Sequence, residues 1–330
     1  RFGHGLPKSS ISQTRSFSVF TKNEDDQKWR GITVDIDELI AANTTQLPPE
    51  KEVDELPDYI QQCLDENFKD NSTGTIVAWN KCDRMTWKTE DAISQNLSWR
   101  ISMSYWRNIK SGLQISVLGN PVSPIDPLFL DKGCEHVESC GSNNLQAKEF
   151  PTWTWPFKVK SEGKEEIIEA EVRMSIFPPR FGAKDVSEIP AGRNRSIRQK
   201  IMAEFNGILF YRQGRFIDCL RHIPSEAKKN RVFQNYDVNY KVEVNFPSSL
   251  DEAFGISTNK QYVNLPFATL NADGWVRLMA ECASLYREVE KGFVDAKLNA
   301  LDNANAAVKA IDDADEILNR PGSDPIREKK

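Results

Sequence analysis

Five runs rich in aromatic and β-branched residues crowd into less than a third of the chain: Thr152–Lys160, Ile167–Phe177, Gly207–Tyr211, Arg215–Cys219 and Tyr240–Phe246. Side chains of these types pack well on a pleated surface, so the pattern commits the middle of the chain to a sheet. Gln213-Gly214, between the third and fourth runs, reads as a tight turn. Toward the C-terminus the period changes. After Asp273, a good helix cap, Trp275, Leu278, Met279, Cys282, Leu285, Tyr286, Val289 and Phe293 recur at helical spacing. A thinner, Ala-rich stripe continues through Leu298, Leu301, Val308, Ile311 and Leu318. It predicts one long helix or two consecutive ones ending before Pro321, with a fold-back near Asn303–Asn305 as the alternative. Strands and helices thus come in blocks, which points to an α+β protein.

The N-terminal part is also mixed. Ser16–Thr21 and Trp29–Ile36 read as strands, and Glu52–Phe68, beyond Pro48-Pro49, as an amphipathic helix. Thr75–Trp79 comes after the turn cluster Asn71–Gly74 as a short strand. Ile93, Leu97, Ile101 and Tyr105 predict a helix over Thr89–Ile109. Leu113–Leu118 and Val122, about Gly119-Asn120, predict a hairpin. The polar stretch Asp131–Phe150 suggests a domain boundary, and 330 residues suit two domains with a helical extension.

Charge excludes one class and leaves another open. The net charge of −5 rules out a uniformly basic nucleic-acid binder. Between Arg180 and Arg231, however, twelve Lys/Arg stand against five Asp/Glu, a local +7 that leaves the remainder at −12. Arg193, Arg195, Arg198 and Lys200, beside Gly192 and Asn194, are the candidates for a phosphate-facing loop; the other reading is a solvated face. No run of about 18 apolar residues exists, so no membrane span is expected. Six scattered cysteines without a CxxC pair suit reduced thiols and a cytoplasmic protein. Cys134, His136 and Cys140 fit no standard zinc spacing, so no metal site is expected among them.

The stretch with most chemical content is Gly3-His4-Gly5-Leu6-Pro7-Lys8-Ser9-Ser10. Two glycines one residue apart let a backbone turn closely past a ligand. Pro7 is suited to the first turn of a helix, where its missing N–H is not needed. A glycine loop feeding a helix start presents unpaired N–H groups to an anion such as a polyphosphate; the bland alternative is a structural cap. The spacing is not that of a Walker loop, so Lys8 is not a P-loop lysine, and no strand precedes the box as a dinucleotide fold requires.

Further motifs come in order: Gly74-Thr75-Ile76-Val77-Ala78-Trp79, Gly207-Ile208-Leu209-Phe210-Tyr211-Arg212 with Arg215-Phe216-Ile217, and Asn259-Lys260-Gln261 after Phe246–Ile256. This ordered set, spanning nearly 260 residues, resembles the GHKL ATPases of the gyrase, chaperone, histidine-kinase and MutL type, most closely their MORC-like branch. The resemblance implies the C-terminal part of a GHKL α/β sandwich over residues 1–140, a mixed α+β transducer domain over 141–266 and a helical extension over 267–330. It implies ATP as ligand. The backbone of Gly3, His4, Gly5, Leu6 and Lys8 would wrap the triphosphate, with Ser9 and Ser10 as side-chain candidates. Thr75 would sit by the adenine, and Lys260 would reach the γ-phosphate as the catalytic lysine. The family's catalytic Glu, Mg-binding Asn and adenine-binding Asp all lie before the glycine box. The chain opens at Arg1 on that box, so it is expected to be a fragment that does not hydrolyse ATP alone, with the Mg ligand upstream. Relatives close into dimers when ATP is bound, so an ATP-bound homodimer to which the tail contributes is expected. The alternative function is a nucleic-acid-binding or scaffolding module with a degenerate ATP site.

Overall fold

A four-stranded antiparallel sheet organises the N-terminal part of the chain in the computed structural model, which describes residues 5–67, 73–141, 145–161, 164–182, 196–222, 233, 235–256 and 262–318. The chain divides into two compact units, 1–100 with 115–122, and 101–114 with 123–330. Its class is α+β, as the blocked pattern predicts. The boundary placed at 140/141 falls inside the second unit, and the helical extension belongs to that unit as well.

In the first unit, helix α1 (Gly5–Gln13) leads into strand β1 (Ser16–Lys22), followed by β2 (Trp29–Asp35), helix α2 (Ile36–Ala41), β3 (Lys51–Val53), α3 (Asp58–Asn67) and β4 (Gly74–Trp79). The strand order is β3-β2-β1-β4. Strand alternation gives the sheet two unlike faces. Phe20, Ile76, Ala78 and Val53 face Leu56, Ile60 and Leu64, around α3. The opposite face carries Phe17, Val19 and Thr21 of β1, in register with Trp79, Val77 and Thr75 of β4.

Several local expectations change. β2 stops at Asp35, one residue early, because the Asp35 carboxylate turns back to accept from the backbone N–H groups of Asp37 and Glu38 and starts α2. Only Asp58–Asn67 of the helix expected over Glu52–Phe68 forms, with the Pro57 carbonyl accepting from Ile60 and Gln61. Residues 51–53 instead pair with β2. The helix expected over Thr89–Ile109 is interrupted at Tyr105, giving α4 (Glu90–Ser104) and α5 (Trp106–Lys110). The hairpin near 115–122 is short, β5 (Ser116–Val117) and β6 (Asn120–Pro121), and turns at Leu118-Gly119 rather than Gly119-Asn120. Both turn residues have positive φ, 49° and 75°, as a two-residue hairpin of matching twist requires. The stretch 131–150 carries helix α6 (Glu135–Gly141), and its Cys134, Val137 and Cys140 are buried.

The second unit is built on a mixed five-stranded sheet in the order β10-β9-β11-β8-β7. Its strands are β7 (Lys148–Ser161), β8 (Lys164–Ile176), β9 (Ile208–Arg212), β10 (Arg215–Leu220) and β11 (Tyr240–Phe246), with helix α7 (Ile197–Glu204) between β8 and β9. All five expected runs are strands. β9 and β10 are joined through Gln213-Gly214, again both at positive φ. β11 lies parallel to β9 and antiparallel to β8, and it is buried on both faces. On one face Val242, Val244 and Phe246 join Trp155, Val172, Met174 and Phe210. After the short helix α8 (Phe267–Leu270), the long helix α9 (Asp273–Leu318) covers that face with Trp275, Leu278, Cys282, Leu285 and Val289. α9 is one helix, unbroken through Asn303–Asn305. On the other face Leu209 and Tyr211 pack with Trp106 and Leu128. There Glu243 is fully buried and paired with Arg107, which also donates to Glu171 at 3.1 Å.

Candidate functional site

The glycine box runs straight into a helix. α1 begins at Gly5, so the N–H groups of Gly5 and Leu6 fall where the helix offers no carbonyl four residues earlier, whereas Lys8, the fourth residue, has its N–H inside the helical ladder. Pro7 sits two residues inside the start rather than at the first position, still within the turn that needs no N–H. Gly5, Leu6, Lys8 and Ser9 are exposed. A Cβ built on Gly5 would meet no heavy atom within 4 Å, so nothing in the described chain demands glycine there. Gly3 and His4 lie outside the described residues.

The two serines part company. Ser9 Oγ donates back to the Leu6 carbonyl at 3.0 Å and stays at the surface. Ser10 is completely buried, and its Oγ accepts from the Trp79 indole Nε1 at 3.0 Å. Ser10 therefore holds α1 against β4, and its side chain is not presented to a ligand. The segment that follows α1 is also fixed. Arg15 pairs with Asp37, and Lys81 Nζ lies 2.8 Å from the Asp35 carboxylate. That ammonium, with two backbone N–H donors, holds the Asp35 carboxyl below its usual range. The helix is thus anchored at its C-terminal half while its N-terminal turn remains open.

Thr75 stands at the opposite end of β4. Its hydroxyl lies 3.1 Å from that of Thr21, and both line a shallow open depression of about 500 Å³ with Lys22, Asn23, Glu24, Asp25, Thr73 and Gly74. Thr75 and Trp79 share a sheet face four residues apart, a separation of about 13 Å at strand rise. Between them the face is apolar and partly open, with Val77 and Trp79 each 41% exposed. The structure therefore brings the helix carrying the glycine box and the Gly-Thr strand into one unit through Ser10 and Trp79, and sets Thr75 at the far end. Trp79 and Thr21 are not apparent as site residues from sequence. Period-two alternation along Gly74–Trp79, which puts 75, 77 and 79 on one face, is the signal that points to Trp79.

The remaining candidates are less assembled. Asn259, Lys260 and Gln261 lie outside the described residues, as do Arg193 and Arg195. Arg198 is only 6% exposed and its guanidinium lies over the Phe181 ring, so it serves packing rather than a surface for phosphate. Lys200 is half-buried. Other arginines of the basic stretch are engaged too. Arg212 pairs with Asp251, Arg215 covers the Tyr105 ring and Arg221 donates to the carbonyls of Ala203 and Glu204. In the Cys134–Cys140 stretch, His136 Nε2 lies 3.0 Å from the Asp126 carbonyl, and Cys140 Sγ contacts the His136 carbonyl. Burial pushes the Cys134 thiol up to about 11, away from the thiolate a metal would need. Among the described residues no helix is long and apolar enough to cross a membrane. No protein-family profile matches the chain, and no curated protein matches it.

Proposed function

We propose that this chain belongs to an ATP-binding conformational switch of the GHKL type, in which the glycine box cradles the triphosphate. The observation that carries this reading is the open first turn of α1, anchored by the Ser10–Trp79 hydrogen bond to the strand that carries Gly74 and Thr75. The N–H groups of Gly5 and Leu6 supply an anion site, and the helix dipole adds to it; the Lys8 N–H lies in the helical ladder and leaves the donor set that the resemblance suggested. Ser10 leaves the ligand set that the resemblance suggested and becomes a positioning residue. Thr75, the candidate for the base end of the nucleotide, lies about 13 Å along β4 from Trp79, the residue that anchors α1.

In this reading Lys260 responds to the γ-phosphate; the Mg-binding asparagine of the GHKL family lies before its glycine box. The family's Glu, Asn and Asp also take part in hydrolysis, so turnover is measured in protein joined to a segment that supplies them. Lys260→Ala lowers turnover there by roughly 10²–10³-fold, about 2.7–4 kcal/mol of transition-state stabilisation, and leaves ADP affinity nearly unchanged. Equal losses of ADP and ATP affinity with unchanged turnover would give Lys260 a structural role and remove the sensing part of the proposal.

A further inference from the structure

The second half of α9 has an apolar stripe that no described residue covers. Every side chain from Phe293 to Ala314 is exposed, and Val294, Leu298, Leu301, Val308 and Ile311 are 52–62% exposed. Helices in proteins gain most of their stability by packing an apolar face, so an uncovered stripe points to a partner. The chain does not supply one by folding back at Asn303–Asn305, because the helix is continuous there.

The residues follow a heptad. With Val294 at position a, the a positions are Val294, Leu301, Val308 and Asp315, and the d positions are Lys297, Ala304, Ile311 and Leu318. Two charges interrupt an otherwise apolar seam, and polar residues in a seam select register and orientation. A parallel pairing would set Lys297 against Lys297 and Asp315 against Asp315. An antiparallel pairing centred on Ala306 sets position 297 against position 315, a lysine against an aspartate, twice. The same register pairs Val294 with Leu318, Leu301 with Ile311 and Ala304 with Val308. The two charges lie nine residues either side of the centre, so the pattern is complementary to itself under a two-fold axis. Ala300, Ala307 and Ala314 occupy the g positions, where small side chains let two backbones come close.

We infer that α9 of one chain pairs antiparallel with α9 of a second copy through this seam, centred on Ala306, and that the pairing needs no nucleotide. The test is sedimentation or light scattering of the whole chain without ATP. A dimer is expected. Lys297→Asp places like charges opposite each other twice and weakens the dimer roughly tenfold or more; Asp315→Lys does the same, and the double exchange restores it. Both positions lie on the helix beyond Val289, the last α9 residue in the core, so the variants retain the fold. Orientation is read by disulfide trapping against the parent chain, whose Cys63 and Cys82 are exposed. Ala307→Cys crosslinks, whereas Leu301→Cys, about 15 Å from its counterpart, does not. A wild-type monomer, a dimer indifferent to the single exchanges, or crosslinking through Leu301→Cys instead of Ala307→Cys would each overturn the inference. Because the test uses no nucleotide, this seam and the glycine-box reading fail separately.

Discussion

Lys241 is the residue whose environment most contradicts its chemistry. It sits on the central strand β11, fully buried, with its ammonium 3.2 Å from the Val238 carbonyl and 5.6 Å from the Phe177 ring centre. Burial pulls its pKa down to about 7. Above that pH the folded chain holds the amine neutral while the unfolded chain, near 10.4, still binds the proton. The unfolded state then carries more protons, so stability rises with pH. The rise begins near pH 7 and is cleanest up to about 8.5, where the ordinary thiol range begins. Beyond it Cys219, pushed by burial to about 11, keeps a proton that the unfolded chain loses, and works the other way. Lys241→Met removes this slope, which approaches 1.4 kcal/mol per pH unit, and raises stability at pH 7. Urea unfolding of both proteins at several pH values between 7 and 8.5 is the check. Parallel curves would show that Lys241 remains charged in the fold.

At the scale of elements, α9 depends on a single glycine in its first turn. A Cβ on Gly274 would lie 2.0 Å from the Trp155 indole nitrogen, with other indole atoms within 2.5 Å. Helix propensity favours alanine over glycine by about 1 kcal/mol. The clash is with a fully buried ring that also packs against Trp275 and Phe254, so it has little room to move. Overpacking of this kind destabilises by about 1–3 kcal/mol. Gly274→Ala is therefore expected to lower the thermal midpoint, and an unchanged or higher midpoint would mean that Trp155 relaxes freely. Much of this architecture was legible in the sequence. The five strand runs and the Trp275–Val289 stripe were visible because each buries a periodic face, and the Gln213-Gly214 turn because its glycine stands between two such runs. What escaped includes a side chain acting on its own backbone, Asp35 ending β2 by capping α2, and the break at Tyr105, which has no side-chain cap behind it. β3 escaped because three residues are too few to show a period. The Arg107–Glu243 pair joins residues 136 apart in sequence, and nothing local signals it. At the site, the glycine box was visible from its spacing, while the division of labour between Ser9 and Ser10 was not. Which serine is buried depends on Trp79, 69 residues from Ser10.

For the molecule as a whole, function in this reading rests on one small region, the open turn of α1. Both units have cores of their own, and the buried charges of the second unit are internal to it. The claim with most consequence is that Gly5 is glycine for a ligand and not for the fold. Its built Cβ meets nothing within 4 Å, so Gly5→Val leaves packing untouched while placing a branched side chain where phosphates would approach. The decisive experiment is calorimetric titration of ATP into wild-type and Gly5→Val protein, each joined to a segment that supplies the GHKL family's Glu, Asn and Asp, with thermal unfolding of both. Midpoints that agree closely are expected, with an ATP affinity lowered by about tenfold or more in Gly5→Val. Equal ATP affinity in two equally stable proteins would refute the ligand role and leave the glycine box as a helix cap.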